Sequence, residues 1–237
     1  MRGIYFDTET TGVKTDKDRI IEIAALDPFK ERTFVSFVNP GIPIPEEASA
    51  ISHITDEMVK DAPSFKKVAQ EFFAFCGTDA VLIAHNLDSF DLPVLSAECN
   101  RHEIPLPPLK TIDTLKWARR YRSDLPRHNL QYLREVYGLP PNQAHRALED
   151  VKMLHALFSR MIDDLSFETV LELLSHETRI THMPFGKHQG KPLSEIPKDY
   201  LRWLAESGAL DKGENKLLKE ALASLHSSSS HPPPKAL

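Results

Sequence analysis

Three things are scarce in this chain, and each scarcity excludes something. Cysteine comes first: Cys76 and Cys99 are the only two among 237 residues. They are too few for a disulfide framework, and both sit in segments of helical pattern rather than in loops that a bridge would staple. A reducing compartment is the natural inference. Long apolar runs come second. No stretch reaches the roughly 18 apolar residues of a membrane-spanning helix, and Met1 to Asp7 runs straight into an apolar strand pattern, so a cytoplasmic protein with no membrane partner is expected. Positive charge comes third: 29 Lys+Arg face 34 Asp+Glu, for a formal net charge of -5. That argues against coating nucleic acid by bulk positive charge, and it leaves room for an enzyme that needs carboxylates.

The remainder is ordinary globular material. With 41% hydrophobic and 27% charged residues and a mean hydropathy of -0.33, the chain is not collagen-like, largely disordered or membrane-spanning. At about 150 residues per domain, its length makes one full domain and a small appendage.

Ile4, Tyr5 and Phe6 form a β-prone run ending at Asp7, and residues 19–26 (RIIEIAAL) and 32–38 (RTFVSFV) read as two further strands. Pro40, Pro43 and Pro45 end this meander, and Pro63-Ser64 starts a helix with Phe65, Val68, Ala69, Phe72, Phe73 and Phe75 on a broad apolar face. Residues 80–84 (AVLIA) are apolar throughout, as in a buried strand. Helices at 92–101, 114–121, 130–137 and 147–162 follow, with a short strand at 110–112. Strands first, then alternating strand and helix, predict an α/β fold: a mixed sheet flanked by helices. The expected divisions are a main domain over 1–165, a connecting helix within 166–180, a compact second unit over 181–225 and a disordered tail over 226–237, rich in Ser and Pro.

Asp7-Thr8-Glu9 lies at the end of the first strand. Side chains two apart in a strand share a face, so both carboxylates project to one side and repel unless a cation neutralises them. Hard oxygen ligands suit Mg²⁺ or Mn²⁺. A lone D-x-E is more often two solvated acids. His85-Asn86 follows the AVLIA strand, and Phe90-Asp91 comes shortly after, near a strand's C-terminal edge, where open α/β sheets bind ligands; by itself Asp91 could equally cap a helix. Asp150 sits early in the long helix. His145, five residues before it and about 140° around a regular helix, joins it only from the preceding turn.

In this order the three segments, with FDTETTG over 6–12, IIEIA over 20–24 and SHITDEMV over 52–59, resemble the DEDDh 3′→5′ exonucleases. These are DnaQ-like nucleases that include exonuclease X and the DNA polymerase III epsilon subunit. The resemblance spans about residues 3–162 and implies a ribonuclease H-like fold and two-metal phosphodiester hydrolysis. Asp7 would bridge two Mg²⁺ or Mn²⁺ ions, Glu9, Asp91 and Asp150 would complete the cage, and His145 would act as general base. Thr8 and Thr10 would contact the terminal nucleotide, His53 or Ile54 would wedge its base, and Asn86 and Phe90 would shape the loop beside it. The second motif departs from the usual HN-x-x-F-D: three residues separate Asn86 from Phe90, so either Asp91 or Asp88 reaches the metal. Phe90 favours Asp91, as an apolar anchor for the loop.

Between Lys110 and Arg134, seven Lys or Arg face two acids, a local charge of +5. Lys116, Arg119 and Arg120 are candidates for a substrate track. Farther on, FGKHQGKPL at 185–193 reads as a tight hairpin presenting Lys187, His188 and Lys191, with Tyr200, Leu201, Trp203 and Leu204 forming a small core against Phe185. It resembles the C-terminal module of exonuclease X; a grip on phosphates and bases and a purely structural mini-domain both fit its spacing. The expectation is a metal-dependent 3′→5′ exonuclease acting on DNA 3′ ends, single-stranded by preference, in repair or replication. The rivals are a proofreading subunit partnered by a DNA polymerase, an RNA 3′-end trimming enzyme and, from another class, a catalytically inactive nucleic-acid-binding module.

Overall fold

The computed structural model describes residues 1–141, 146–175, 182–211 and 215–228, and the chain divides into two compact units, Met1–Ser175 and His176–Leu237. The first is built on five strands: β1 (Arg2–Thr10), β2 (Ile20–Asp27), β3 (Arg32–Phe37), β4 (Ala80–Ala84) and β5 (Lys110–Asp113), in the order β3-β2-β1-β4-β5. The meander β1-β2-β3 is antiparallel, while β4 and β5 join β1 in parallel. The sheet is therefore mixed, as the sequence pattern implies. β1 continues to Thr10, so both acids of its D-x-E belong to the central strand itself.

Strand alternation sorts the side chains into two layers. Ile4, Phe6, Leu82 and Ala84 face α3 (Phe65–Cys76) and α4 (Asp91–Arg101), packing with Val68, Phe72, Val94 and Leu95. Tyr5, Val81, Ile83 and Ile112 face the other way, against Val151, Leu154 and Phe158 of α7 (Ala147–Ile162). Asp7 and Glu9 share parity with Tyr5 and so lie on the α7 side. Between these helices run α5 (Thr114–Tyr121) and α6 (Leu130–Val136). Two short helices that the strand pattern gives no reason to expect, α1 (Glu46–Ser52) and α2 (Asp56–Val59), follow the prolines after β3.

Within the segment expected to be a connecting helix, the described part is α-helical and packed. α8 (Phe167–Ser175) buries Val170 and sets Phe167, Leu171 and Leu174 against the α7-side core. Gly3 is what lets it approach: a Cβ there would stand 2.6 Å from the Phe167 ring.

The second unit has its own core of Met183, Leu193, Ile196, Leu204, Leu210, Leu218 and Leu222, contributed in part by α9 (Lys198–Glu206) and α10 (Lys216–Ser228). The expected hairpin is a loop containing a 3₁₀ turn, Gly186–His188, closed by hydrogen bonds from Met183 N–H to Lys191 O and from Gly190 N–H to Met183 O, 2.8 Å each. Gly186 is required twice over: its φ is +77°, and a Cβ would meet the Tyr200 hydroxyl at 2.5 Å. Trp203 departs from expectation, 56% exposed rather than in the core. α10 reaches Ser228, and the rest of the expected tail lies outside the described residues. Among the described residues no helix is long and apolar enough to cross a membrane.

Candidate active site

The carboxylates converge where β1 ends. Asp7 and Glu9 project from β1 toward the first turn of α7, which carries Asp150, and a carboxylate oxygen of each lies within 4.8 Å of the other two. Asp91, the first residue of α4, comes from the opposite layer at the same sheet edge. It is 2% exposed and accepts a hydrogen bond of 2.8 Å from Thr8 Oγ1. Thr8 points to the α4 side because it alternates with Asp7 and Glu9, so its hydroxyl is committed to Asp91 rather than free for a nucleotide.

Burial and mutual repulsion mark this cluster. Asp7 is pushed well above the usual carboxylate range by burial and then by the charges of Asp91, Glu9, Asp150 and Glu22. Glu9 rises to about 7 through burial and the charges of Glu22, Asp150 and Asp91, with Arg146 pulling the other way. Asp91 also rises to about 7, chiefly by burial, against the opposing hydrogen bond from Thr8. Like charges crowded in a partly dry site favour protonation or a cation, and an all-carboxylate donor set fits a hard divalent ion.

Asp88 goes elsewhere. Its side chain is 46% exposed and lies 3.6 Å from Lys116 Nζ, while Phe90 packs against the α3/α4 core beside Asp91. His145 falls outside the described residues. Several other candidates are engaged away from the carboxylates. Lys116 pairs with Asp88, Arg120 Nη1 donates to the Leu174 carbonyl at 3.5 Å, and Thr10 Oγ1 donates to the Gly12 carbonyl at 2.6 Å. Ile54 is fully buried against Ile44 and Val59 and has no surface to wedge a base, whereas its neighbour His53 is exposed with φ of +59°. Arg119 and Asn86 line one cavity beside the end of β4. Lys187 and Lys191 are exposed on the loop of the second unit.

Two acids escaped the sequence reading. Glu22 pairs with Glu9 across β1 and β2, is 2% exposed, accepts the Ala147 N–H at 3.4 Å and lies 3.9 Å from Arg146 Nη2. The signal was a glutamate inside the apolar run IIEIA. Asp113 ends β5 and caps α5, accepting N–H groups from Leu115 and Lys116 and from Asn86 and Asp88 across the sheet edge. It holds the loop that leads to Asp91. Its signal was the acid just before a helical pattern.

A mixed five-stranded sheet flanked by helices, with carboxylates gathered over the end of its central strand, is the architecture of the ribonuclease H-like nucleases. The chain belongs to the exonuclease family (RNase_T), whose model matches residues 4–158. Residues 171–224 match a second family described as a putative quorum-sensing-regulated virulence factor. The PolC-type DNA polymerase III of Staphylococcus epidermidis is 33% identical over 165 residues, which are 68% of this chain and 11% of that protein. The corresponding protein of Streptococcus pneumoniae strain D39 is 34% identical over 166 residues, 69% of this chain and again 11% of the relative. The match thus spans about a tenth of these relatives' length. Among solved structures, exonuclease X in complex with 5′ overhanging duplex DNA aligns with a TM-score of 0.57 and 27% identity, over 73% of this chain and 99% of that one. The nuclease domain of 3′hExo, a DEDDh family member bound to rAMP, shares the fold at a TM-score of 0.59 and 21% identity, over 69% and 92% of the two chains.

Proposed function

We propose that this chain is a metal-dependent 3′→5′ exonuclease that hydrolyses DNA from its 3′ end to nucleoside 5′-monophosphates, in repair or replication. The observation that carries the reading is the convergence of Asp7, Glu9, Asp150 and Asp91 over one strand end, with Asp7, Glu9 and Asp91 all raised. A pure binder of nucleic acid has no reason to concentrate anions where a phosphate must sit. Asp7, Glu9, Asp150 and Asp91 would hold two divalent ions, Mg²⁺ or Mn²⁺. When bound, such ions stabilise charge on a phosphate under attack and lower the pKa of the attacking water.

The rest of the work belongs to the chain's own side chains. Thr8 fixes the rotamer of Asp91 through its hydroxyl. Glu22 accepts the first N–H of α7 and so ties the helix that carries Asp150 to β2, the strand paired with the one that carries Glu9. His145, one residue before Arg146, would take the proton of the attacking water, a role suited to an imidazole. His53, Asn86 and Phe90 would bound the terminal nucleotide, and Lys187 and Lys191 of the second unit would contact nucleic-acid phosphates.

Incubating 5′-labelled single-stranded DNA with Mg²⁺ should give a descending ladder of products and release nucleoside 5′-monophosphates. Asp7→Ala should abolish both, and undiminished activity in that variant would sink the assignment. The similarity to PolC-type polymerases favours a second reading, an exonuclease that works beside a DNA polymerase; co-purification with a polymerase would support it. Matched DNA and RNA 3′ ends, compared for rate, decide the sugar.

A further inference from the structure

Seven cations lie between Lys110 and Arg134, and their partners separate them. Arg122 holds Asp124 through two bonds of 2.9 Å. Arg134 is spent on Gln131, Glu135 and the Leu139 carbonyl at 3.0–3.2 Å. Lys116 pairs with Asp88, and Arg120 reaches Leu174. Lys110 opens β5 and so sits at the other end of the strand, where it lines a different cavity. Arg119 and Arg127 remain. Both are exposed, and neither has a carboxylate partner among the described residues.

These two arginines line one cavity of about 590 Å³, together with His85, Asn86, His128 and Asn129, and among the described residues no acidic side chain borders it. Its walls are braced. His85 Nδ1 meets Thr114 Oγ1 and Nε2 meets the His128 carbonyl, both at 2.9 Å, which ties the end of β4 to α5 and to the loop before α6. Burial holds the His85 pKa below its ordinary value, so this imidazole is a neutral strut. His128 Nε2 in turn meets the Arg122 carbonyl at 2.9 Å. The cavity also adjoins the carboxylates through the chain. Asn86, in its wall, starts the turn whose Phe90 N–H returns to the Asn86 carbonyl at 3.0 Å, and the next residue is Asp91.

We propose that Arg119 and Arg127 form a phosphodiester-binding subsite that holds the substrate strand upstream of the scissile bond. The inference rests on the nuclease reading above and adds a location to it. Guanidinium groups match phosphate oxygens in a bidentate fork, and Arg119 and Arg127, the latter over the Tyr132 ring at 5.6 Å, have no ion pair among the described residues to give up when a strand arrives. Phosphate contacts position a strand without reading its sequence, so the subsite should serve any base composition.

The test uses the full chain. Arg119→Ala/Arg127→Ala should raise KM on a single-stranded 12-mer by at least about tenfold, the scale of one or two lost charged hydrogen bonds, with kcat within twofold. Its rate on thymidine 5′-p-nitrophenyl phosphate, too short to reach the subsite, should not change. The slope of log affinity against log salt should flatten by about 1.4, at roughly 0.7 per phosphate contact on single strands. Lys110→Ala/Arg122→Ala removes the same charge elsewhere and should leave KM unaltered. An unchanged KM in the first double variant, or an equal rise in the second, overturns the proposal. Binding of the labelled 12-mer in EDTA, followed by anisotropy, judges the subsite even if no DNA is hydrolysed: wild-type chain that binds more tightly than the double variant supports it, and equal binding overturns it.

Discussion

Asp27 and Glu9 sit at opposite ends of the same antiparallel pair of strands, and they have been treated oppositely. Asp27 closes β2 and is completely buried, yet its carboxyl is held below the ordinary range. Burial alone would raise it, but the Lys30 N–H at 3.1 Å, Arg32 at 3.2 Å and the guanidinium of Arg2 outweigh that effect. Arg2 also reaches the Cys76 carbonyl and Asp79, and Arg32 reaches the Phe75 carbonyl. At the other end Glu9, Asp7 and Asp91 are raised, and no lysine or arginine forms an ion pair with them among the described residues. One sheet thus carries a carboxylate neutralised by the chain itself and a set left for a cation from outside. Burial is common to both ends. The supply of donors is what distinguishes a structural acid from a functional one.

The largest expected effect breaks the functional end. Asp7→Asn should lower cleavage by about 10³-fold or more, the loss of several kcal/mol of transition-state charge stabilisation. In the metal-free chain its thermal midpoint should be equal to or above that of wild type, because one repelling charge is gone. Breaking the structural end should do the reverse. Arg2→Leu leaves Asp27 buried with one of its two ion pairs gone and should cost about 3 kcal/mol of stability, read by urea unfolding, while the folded fraction cleaves at the wild-type rate. Equal behaviour of the two variants would erase the distinction.

The two ends also predict opposite responses to pH. Glu9 and Asp91 have folded values of about 7, above their ordinary 4.5 and 3.8. Their contribution is full below those ordinary values and is lost as pH rises through 7. Asp27 is depressed, so its contribution is full above 3.8 and is lost as pH falls through its folded value. In EDTA the chain should therefore lose stability between pH 4.5 and 7.5, by more than the roughly 1.4 kcal/mol of a single pKa unit of differential interaction. Millimolar Mg²⁺ should flatten that slope by binding the folded state, and Glu9→Gln should flatten it without metal. A stability that rises through this window in EDTA would contradict the assignment of the raised groups.

This contrast also explains how much could be read from the residues alone. The D-x-E of β1 and the Asp150 helix were legible because alternation and helical spacing are local. The sheet class followed from the order of those patterns. Glu22 was hidden because its role depends on strand pairing, which only the folded register reveals. Lys116 and Arg120 were plausible as free cations because their partners, Asp88 and the Leu174 carbonyl, are distant in sequence. Ile54 and Trp203 were each assigned the wrong environment for the same reason: burial of a single side chain is set by what packs above it, and periodicity describes only the element it belongs to.

Glu22 offers the finest test. It faces Glu9 directly across the strands, an arrangement of like charges that ordinarily destabilises a sheet, and its own value is raised by burial despite Arg146 and the Ala147 N–H. A group that costs this much at a site already rich in anions needs a second use, and the Ala147 bond supplies one: it secures the first turn of α7, and with it Asp150, to β2, the strand paired with the one bearing Glu9. Gln at this position keeps the carbonyl acceptor and removes the charge, whereas Ala removes both. Glu22→Gln should therefore cleave within about threefold of wild type, a change worth under 1 kcal/mol. Glu22→Ala should need more Mg²⁺ for half-maximal rate, since the carboxylates on β1 and α7 are no longer held in register, with a loss of about 1 kcal/mol of stability from the missing bond. If instead Gln and Ala fall together in metal affinity, the charge of Glu22 matters rather than its hydrogen bond, and this acid belongs among the groups that hold the cation.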